Sequence, residues 1–133
     1  MNKLHKNTDA WKKKAENDLT VVSDLFDSEH DLFDIICFHA QQGAEKYLKA
    51  LMVDNGLTPP KIHDLGQLLK LMKKLFPEIK ELYSNANWLS RFAVESRYPS
   101  ALDLSITKQD TQKAKNIAEK IKIFCLKKME NNY

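Results

Sequence analysis

Residues that interrupt helices are scarce in this chain of 133 residues, which has only three glycines and four prolines. Leu, Lys, Ala and Glu, which favour helices, are common instead. The composition therefore predicts long helices rather than a β-sheet. A length of 133 residues fits one domain and excludes a large multi-domain enzyme. With 43% hydrophobic and 29% charged residues, the composition is that of an ordinary globular protein.

Other absences exclude whole classes of protein. The two cysteines, Cys37 and Cys125, lie in apolar helical patterns and provide neither a disulfide framework nor a zinc spacing. No apolar run approaches the roughly 18 residues that span a bilayer. The first residues are polar where a signal peptide would be apolar, so we expect a cytoplasmic protein. Without a glycine-rich phosphate loop or a cluster of metal ligands, we expect no metal and no cofactor.

Apolar residues recur every three or four positions along most of the chain, which predicts a single up-and-down helical bundle over residues 1–133. Residues 1–8 are expected to form a frayed tail. Gly56 is the predicted left-handed stop of the second helix, and Thr107 with Asp110 resembles a capping box before the last. The five predicted helices span residues 9–25, 31–55, 63–76, 78–96 and 107–129.

The second predicted helix carries a coherent polar row. Each residue advances about 100° around the axis, so four polar side chains fall on one stripe. This polar row comprises His39, Gln42, Lys46 and Lys49. The core-facing arc beside it comprises Ile36, Ala40, Gly43, Ala44, Tyr47 and Leu51. Either the two lysines extend over apolar surface while the His and Gln satisfy neighbours, or the row forms a ligand site or a subunit contact.

Two further positions are candidates for binding. His63 and Asp64 stand at the predicted start of the third helix, where Asp64 suits the first turn and His63 the cap or its neighbour. The chain has 19 lysines but only two arginines, Arg91 and Arg97. Arg91 is expected to pair with Glu95 on the same helix, whereas Arg97 is expected to make a specific contact with a carboxylate or a ligand.

The net charge of +3 is unevenly spread, because residues 108–133 carry seven lysines and three acids. A charge this small neither demands nor excludes a nucleic-acid partner.

Three strings in order resemble the HEPN domain family. They are residues 39–51 (HAQQGAEKYLKAL), residues 61–65 (KIHDL) and residues 96–99 (SRYP). The resemblance implies a homodimeric helical bundle, often encoded with a nucleotidyltransferase-fold partner in toxin–antitoxin-like pairs. It also implies nucleotide or RNA binding and, in many branches, metal-independent RNA cleavage.

The RNA-cleaving branches share an Arg followed after four to six residues by a His, and this chain lacks that spacing, because all four histidines precede both arginines. We therefore expect a homodimeric binding module that recognises a nucleotide or RNA phosphate, a nucleotidyltransferase-fold partner, or both. The expected ligand-binding residues are His39, Gln42, Lys46, Lys49, His63, Asp64, Arg97 and Tyr98. The alternatives are a ribonuclease toxin with a histidine drawn from elsewhere and a purely structural interaction protein.

Overall fold

The computed structural model describes residues 3–93 and 105–130. Within those residues the chain is helical and contains no strand, which confirms the all-α prediction. The α-helices that lie wholly in the described ranges are α1 (Lys3–Phe26), α2 (Phe33–Asp54), α3 (Leu65–Leu71), α4 (Tyr83–Leu89) and α5 (Lys108–Glu130). None of the helices in the described part of the chain is both long and apolar enough to span a membrane.

Helix α2 is the centre of the bundle, with α1 and α5 packed against it. Its predicted core-facing arc is buried throughout. The helix ends at Asp54, and Gly56 has a φ of +78°, so the predicted left-handed stop is confirmed. Helix α1 buries Ala15, Leu19 and Val22 against the core. It begins at Lys3 rather than at residue 9, so residues 3–8, where a frayed tail was expected, belong to the helix.

The middle of the chain is more broken than its periodicity predicts. Helix α3 ends at Leu71 instead of reaching residue 76, and Leu75 has 48% of its area exposed. Pro77 accounts for the extended backbone of Phe76 (φ −136°, ψ 82°), because a residue before proline avoids the helical region. Between Leu71 and Phe76 the chain forms turns closed by i→i−3 hydrogen bonds instead of continuing the α-helix.

The single helix predicted over residues 78–96 is also wrong. Pro77–Leu82 forms a 3₁₀ helix with the proline at its start, followed by α4 and a second 3₁₀ turn over Ser90–Phe92. The break falls at Leu82, and the end of the predicted helix lies outside the described residues.

The start of α5 is the capping box expected from the sequence. The backbone N–H of Asp110 donates to Thr107 Oγ1 (3.1 Å), and the N–H of Thr107 donates to Asp110 Oδ2 (2.9 Å). Farther along, Ala114, Ile117 and Ile121 are buried against α2. The predicted register of the last helix is therefore confirmed.

A half-exposed polar link joins the three long helices. Tyr47 on α2 donates its hydroxyl to Glu16 on α1, and Lys122 on α5 lies 3.0 Å from the same carboxylate. Burial, then the hydrogen bond to Glu16, raises the pKa of Tyr47. Burial would raise the pKa of Glu16, but the hydrogen bonds from Tyr47 and Lys122 outweigh it and lower that pKa. The carboxylate therefore stabilises the fold above its ordinary titration range, and that contribution is lost as the pH falls.

Both cysteines are buried and free, as the apolar pattern around them predicts. Burial raises the pKa of Cys37 to about 12, so its thiol stays protonated at neutral pH. Burial also raises the pKa of Cys125. Because the thiolate is the reactive form, both residues act as small hydrophobic side chains.

Candidate functional site

One carboxylate from α1, that of Asp18, contacts two residues of the polar row, His39 and Lys46. Asp18 Oδ1 lies 2.8 Å from His39 Nδ1, and its Oδ2 accepts a hydrogen bond of 2.6 Å from Lys46 Nζ. The Asp18 side chain is 11% exposed, whereas those of His39 and Lys46 are 28% and 25% exposed. A nearly buried acid therefore fixes an imidazole and an ammonium at the edge of the α1–α2 contact.

Gly43 allows this contact to be so close. A Cβ atom at position 43 would lie 2.5 Å from Leu19 Cδ2 and 2.9 Å from its Cγ. The Leu19 side chain on α1 therefore occupies the space that a side chain at position 43 would fill. His39 and Lys46 stand four residues before and three residues after Gly43, on neighbouring turns of α2. The close approach brings Asp18, the residue before Leu19, within hydrogen-bond distance of both.

A second carboxylate, that of Glu45, contacts Lys49 of the polar row. Glu45 was not among the residues predicted from the sequence. Lys49 Nζ lies 3.0 Å from Glu45 Oε2, and both side chains are buried, with 7% and 5% of their areas exposed. Lys49 thus forms a buried ion pair and does not extend into solvent. Its ammonium also lies 5.9 Å from the centroid of the Trp11 ring.

Glu45 also holds His63, which comes from the segment before α3. His63 Nδ1 lies 3.1 Å from both carboxylate oxygens of Glu45, and 64% of the His63 side chain is exposed. Gln41 Nε2 donates to the His63 carbonyl (2.8 Å), and Gln42 Nε2 donates to Gln41 Oε1 (2.8 Å). The structure therefore brings His63 together with Gln42 and Lys49 through a short polar network.

Asp64 is the N-cap of α3, where its side chain accepts a hydrogen bond of 3.1 Å from the backbone N–H of Gln67. The expectation that Asp64 lies in the first turn is wrong by one position. The backbone N–H of Leu65, at the first position of α3, has no partner within the helix and donates to Ser90 Oγ (2.8 Å). This bond fixes the 3₁₀ turn at Ser90 beside the segment that carries His63.

Arg97 and Tyr98 lie outside the described residues, as does Glu95, the expected partner of Arg91. The described chain stops at Ala93, three residues after Ser90. The convergence of Arg97 and Tyr98 with the polar row therefore stays a prediction. Arg91 donates from Nε to the carbonyl of Trp88 (3.1 Å), and its expected pair with Glu95 stays a prediction.

The orientation of its two histidines suits the site to acid–base or anion chemistry. His39 and His63 each use Nδ1 for a buried carboxylate, and neither Nε2 atom has a hydrogen-bond partner among the described residues. A carboxylate on Nδ1 orients an imidazole and fixes which nitrogen faces outward. In residues 3–93 and 105–130 no three His, Cys, Asp or Glu side chains come together as ligands for one metal ion.

The sequence of residues 8–129 matches the family model of the HEPN domain. The chain belongs to the HEPN domain family. Two crystal structures share the HEPN fold seen here. An archaeal HEPN homologue, ST0689, is 24% identical, with 92% of this chain and 97% of that chain covered and a TM-score of 0.73. TT1696 from Thermus thermophilus is 23% identical, with 91% and 97% covered and a TM-score of 0.80. No curated protein matches the sequence.

Proposed function

We propose that this HEPN protein is a homodimeric binding module that recognises the phosphate of a nucleotide or of RNA. The observation that carries the proposal is the pair of oriented imidazoles, His39 and His63, each held through Nδ1 by a carboxylate that contacts the polar row. In its protonated form an imidazole held in this way presents Nε2–H to a ligand, and a phosphate oxygen is a suitable acceptor.

The other predicted residues have distinct roles in this proposal. Lys46 supplies a half-buried positive charge beside His39. Lys49 positions Glu45, and Gln42 reaches the same network through Gln41. Asp64 fixes the start of α3 and with it the segment that carries His63.

Arg97 and Tyr98 complete the proposed site. A guanidinium can bind a phosphate through two parallel hydrogen bonds, which a lysine cannot do. The contact of Ser90 with Leu65 supports their participation, because Ser90 lies beside the segment that carries His63 and precedes Arg97 by only seven residues in the sequence. The family resemblance supports a nucleotidyltransferase-fold protein as a further partner.

We expect calorimetry to detect binding of ATP or of a short single-stranded RNA, and Lys46→Ala and Arg97→Ala each to weaken it about tenfold or more. A hydrogen bond from a charged group contributes about 1.5–3 kcal/mol, which corresponds to that loss. The matched control is Lys73→Ala, because Lys73 is exposed and forms no ion pair with a described residue. Absence of heat with both ligands would reject the ligand-binding role and leave a structural interaction protein.

The Asp18–His39 pair also favours a second candidate, metal-independent RNA cleavage. A carboxylate 2.8 Å from Nδ1 orients His39 to accept or donate a proton at Nε2, and the Lys46 ammonium could stabilise charge on the phosphate. This arrangement differs from the Arg-to-His spacing of the RNA-cleaving branches.

If this second candidate is correct, the protein cleaves RNA in the presence of EDTA, and His39→Ala reduces the rate at least about a hundredfold. His30→Ala is the control, since His30 lies exposed in the turn after α1. RNA that stays intact after prolonged incubation would eliminate cleavage and leave the binding proposal in place.

A further inference from the structure

The end of α1 and the turn that follows it present a group of exposed carboxylates. Asp24, Asp27, Glu29 and Asp31 are all exposed, and none forms an ion pair with a described residue. The turn is ordered by Ser28, whose hydroxyl donates to the Leu25 carbonyl (2.8 Å) and accepts from the His30 N–H (3.2 Å). We call these four carboxylates and their segment the acidic turn.

A cleft of about 330 Å³ between α4 and α5 has the opposite character. Its polar lining consists of Asn85, Gln109, Gln112, Lys113, Asn116 and Lys120. No carboxylate lines it among the described residues, and neither lysine forms an ion pair there. We call this surface the basic cleft.

Lys113 of the basic cleft and Arg91, which lies outside its lining, are both held over one aromatic ring. The Lys113 ammonium lies 4.3 Å and the Arg91 guanidinium 5.2 Å from the centroid of the Trp88 ring. Gln112 donates to Asn116 (2.9 Å), which orders two of the carboxamides. Surfaces ordered before contact lose less conformational entropy on association.

We propose that the acidic turn of one copy of this protein docks in the basic cleft of a second copy. Carboxylates would pair with Lys113, Lys120 and Arg91, and the carboxamides would bind the backbone of the turn. This inference rests on the homodimer of the proposed function and assigns its interface.

The positions of the two surfaces suit a reciprocal contact. Lys108 and Lys115 lie over the Phe26 ring, at the end of α1 from which the acidic turn leads, and the basic cleft begins at Gln109. Both surfaces therefore flank the first turns of α5. Two copies related by a two-fold axis would each donate a turn and accept one, so the contact would form twice.

The observations favour a protein partner over nucleic acid at the basic cleft. Single-stranded nucleic acid sites offer open aromatic faces on which bases stack. The Trp88 ring is instead engaged by two cations and by the edge of Phe92, 5.2 Å away.

Charge reversal combined with light scattering tests the interface. At low ionic strength we expect the wild type to be a dimer, and Lys113→Glu with Lys120→Glu, or Asp27→Lys with Asp31→Lys, to raise the dimer dissociation constant about tenfold or more. Mixing the two double variants should restore a dimer, because each carries the complement of the other. High ionic strength should weaken the wild-type dimer. Lys70→Glu with Lys73→Glu, on exposed lysines outside both surfaces, controls for net charge.

The outcomes separate the interface from the proposed function. Double variants that dimerise like the wild type would overturn the interface and leave the homodimer intact. A wild type that stays monomeric would overturn both the interface and the homodimer, while calorimetry would still test ligand binding separately. Loss of RNA binding in Lys113→Glu with Lys120→Glu, at unchanged oligomeric mass, would mean that the cleft serves nucleic acid and would overturn the inference.

Discussion

Replacement of Glu45 by alanine is expected to lower the free energy of unfolding by about 3–5 kcal/mol, as for other buried ion pairs that lose one partner. Glu45 is the carboxylate closest to the buried ammonium of Lys49, at 3.0 Å. Without it, the buried Lys49 side chain has no ion-pair partner among the described residues. Urea denaturation monitored by circular dichroism measures this loss.

Two controls separate the buried charge from the lost side-chain volume. The double variant Glu45→Leu with Lys49→Met removes both charges and should recover most of the stability, because well-packed apolar residues often replace a buried pair without cost. Glu78→Ala removes a carboxylate from an exposed pair with Lys128 and should change stability little. Equal losses for Glu45→Ala and Glu78→Ala would show that the Glu45–Lys49 pair is solvated.

Leu68→Ala is expected to cost about 2–5 kcal/mol, the usual range for a fully buried leucine. Leu68 has none of its area exposed, whereas Leu71, three residues later on α3, is 54% exposed. Leu71→Ala should therefore stay within about 0.5 kcal/mol of the wild type. Thermal or chemical unfolding of the two variants compares the faces of α3 directly, and a costlier Leu71→Ala would show that the register of this helix is wrong.

The long helices could be predicted because their signals are local. The period of the apolar residues gives the buried faces of α1, α2 and α5, and Gly56 and the Thr107–Asp110 capping box mark a helix end and a helix start. These features depend on residues a few positions apart, so order along the chain is sufficient to detect them.

The middle of the chain could not be predicted in the same way. Leu75 and Phe76 continue the apolar period of α3, yet Pro77 forces Phe76 out of the helical region and leaves Leu75 half exposed. The apolar period alone therefore predicts a longer helix than the one that forms. Pro77 was a signal that the helix could not continue through residue 76, but it does not account for the end at Leu71.

The polar row was predicted on the correct helix, but the carboxylates that hold it were not. Asp18 and Glu16 stand two residues apart on α1, and nothing in their local sequence tells which one faces His39 and which one faces Tyr47. That choice depends on the rotation of α1 against α2. For Glu45 a signal was present, since an acid four residues before Lys49 on a mostly apolar helix favours an ion pair.

The missing side chain at Gly43 ties the stability of the bundle to the chemistry of its edge. A larger residue there would act as a wedge that separates the axes of α1 and α2 and draws Asp18 away from its two donors. The packing of α1 on α2 and the orientation of the His39 imidazole therefore both depend on the close contact between Gly43 and Leu19. A substitution at this position would alter both together, so the stability of the bundle and the orientation of His39 could not be changed independently there.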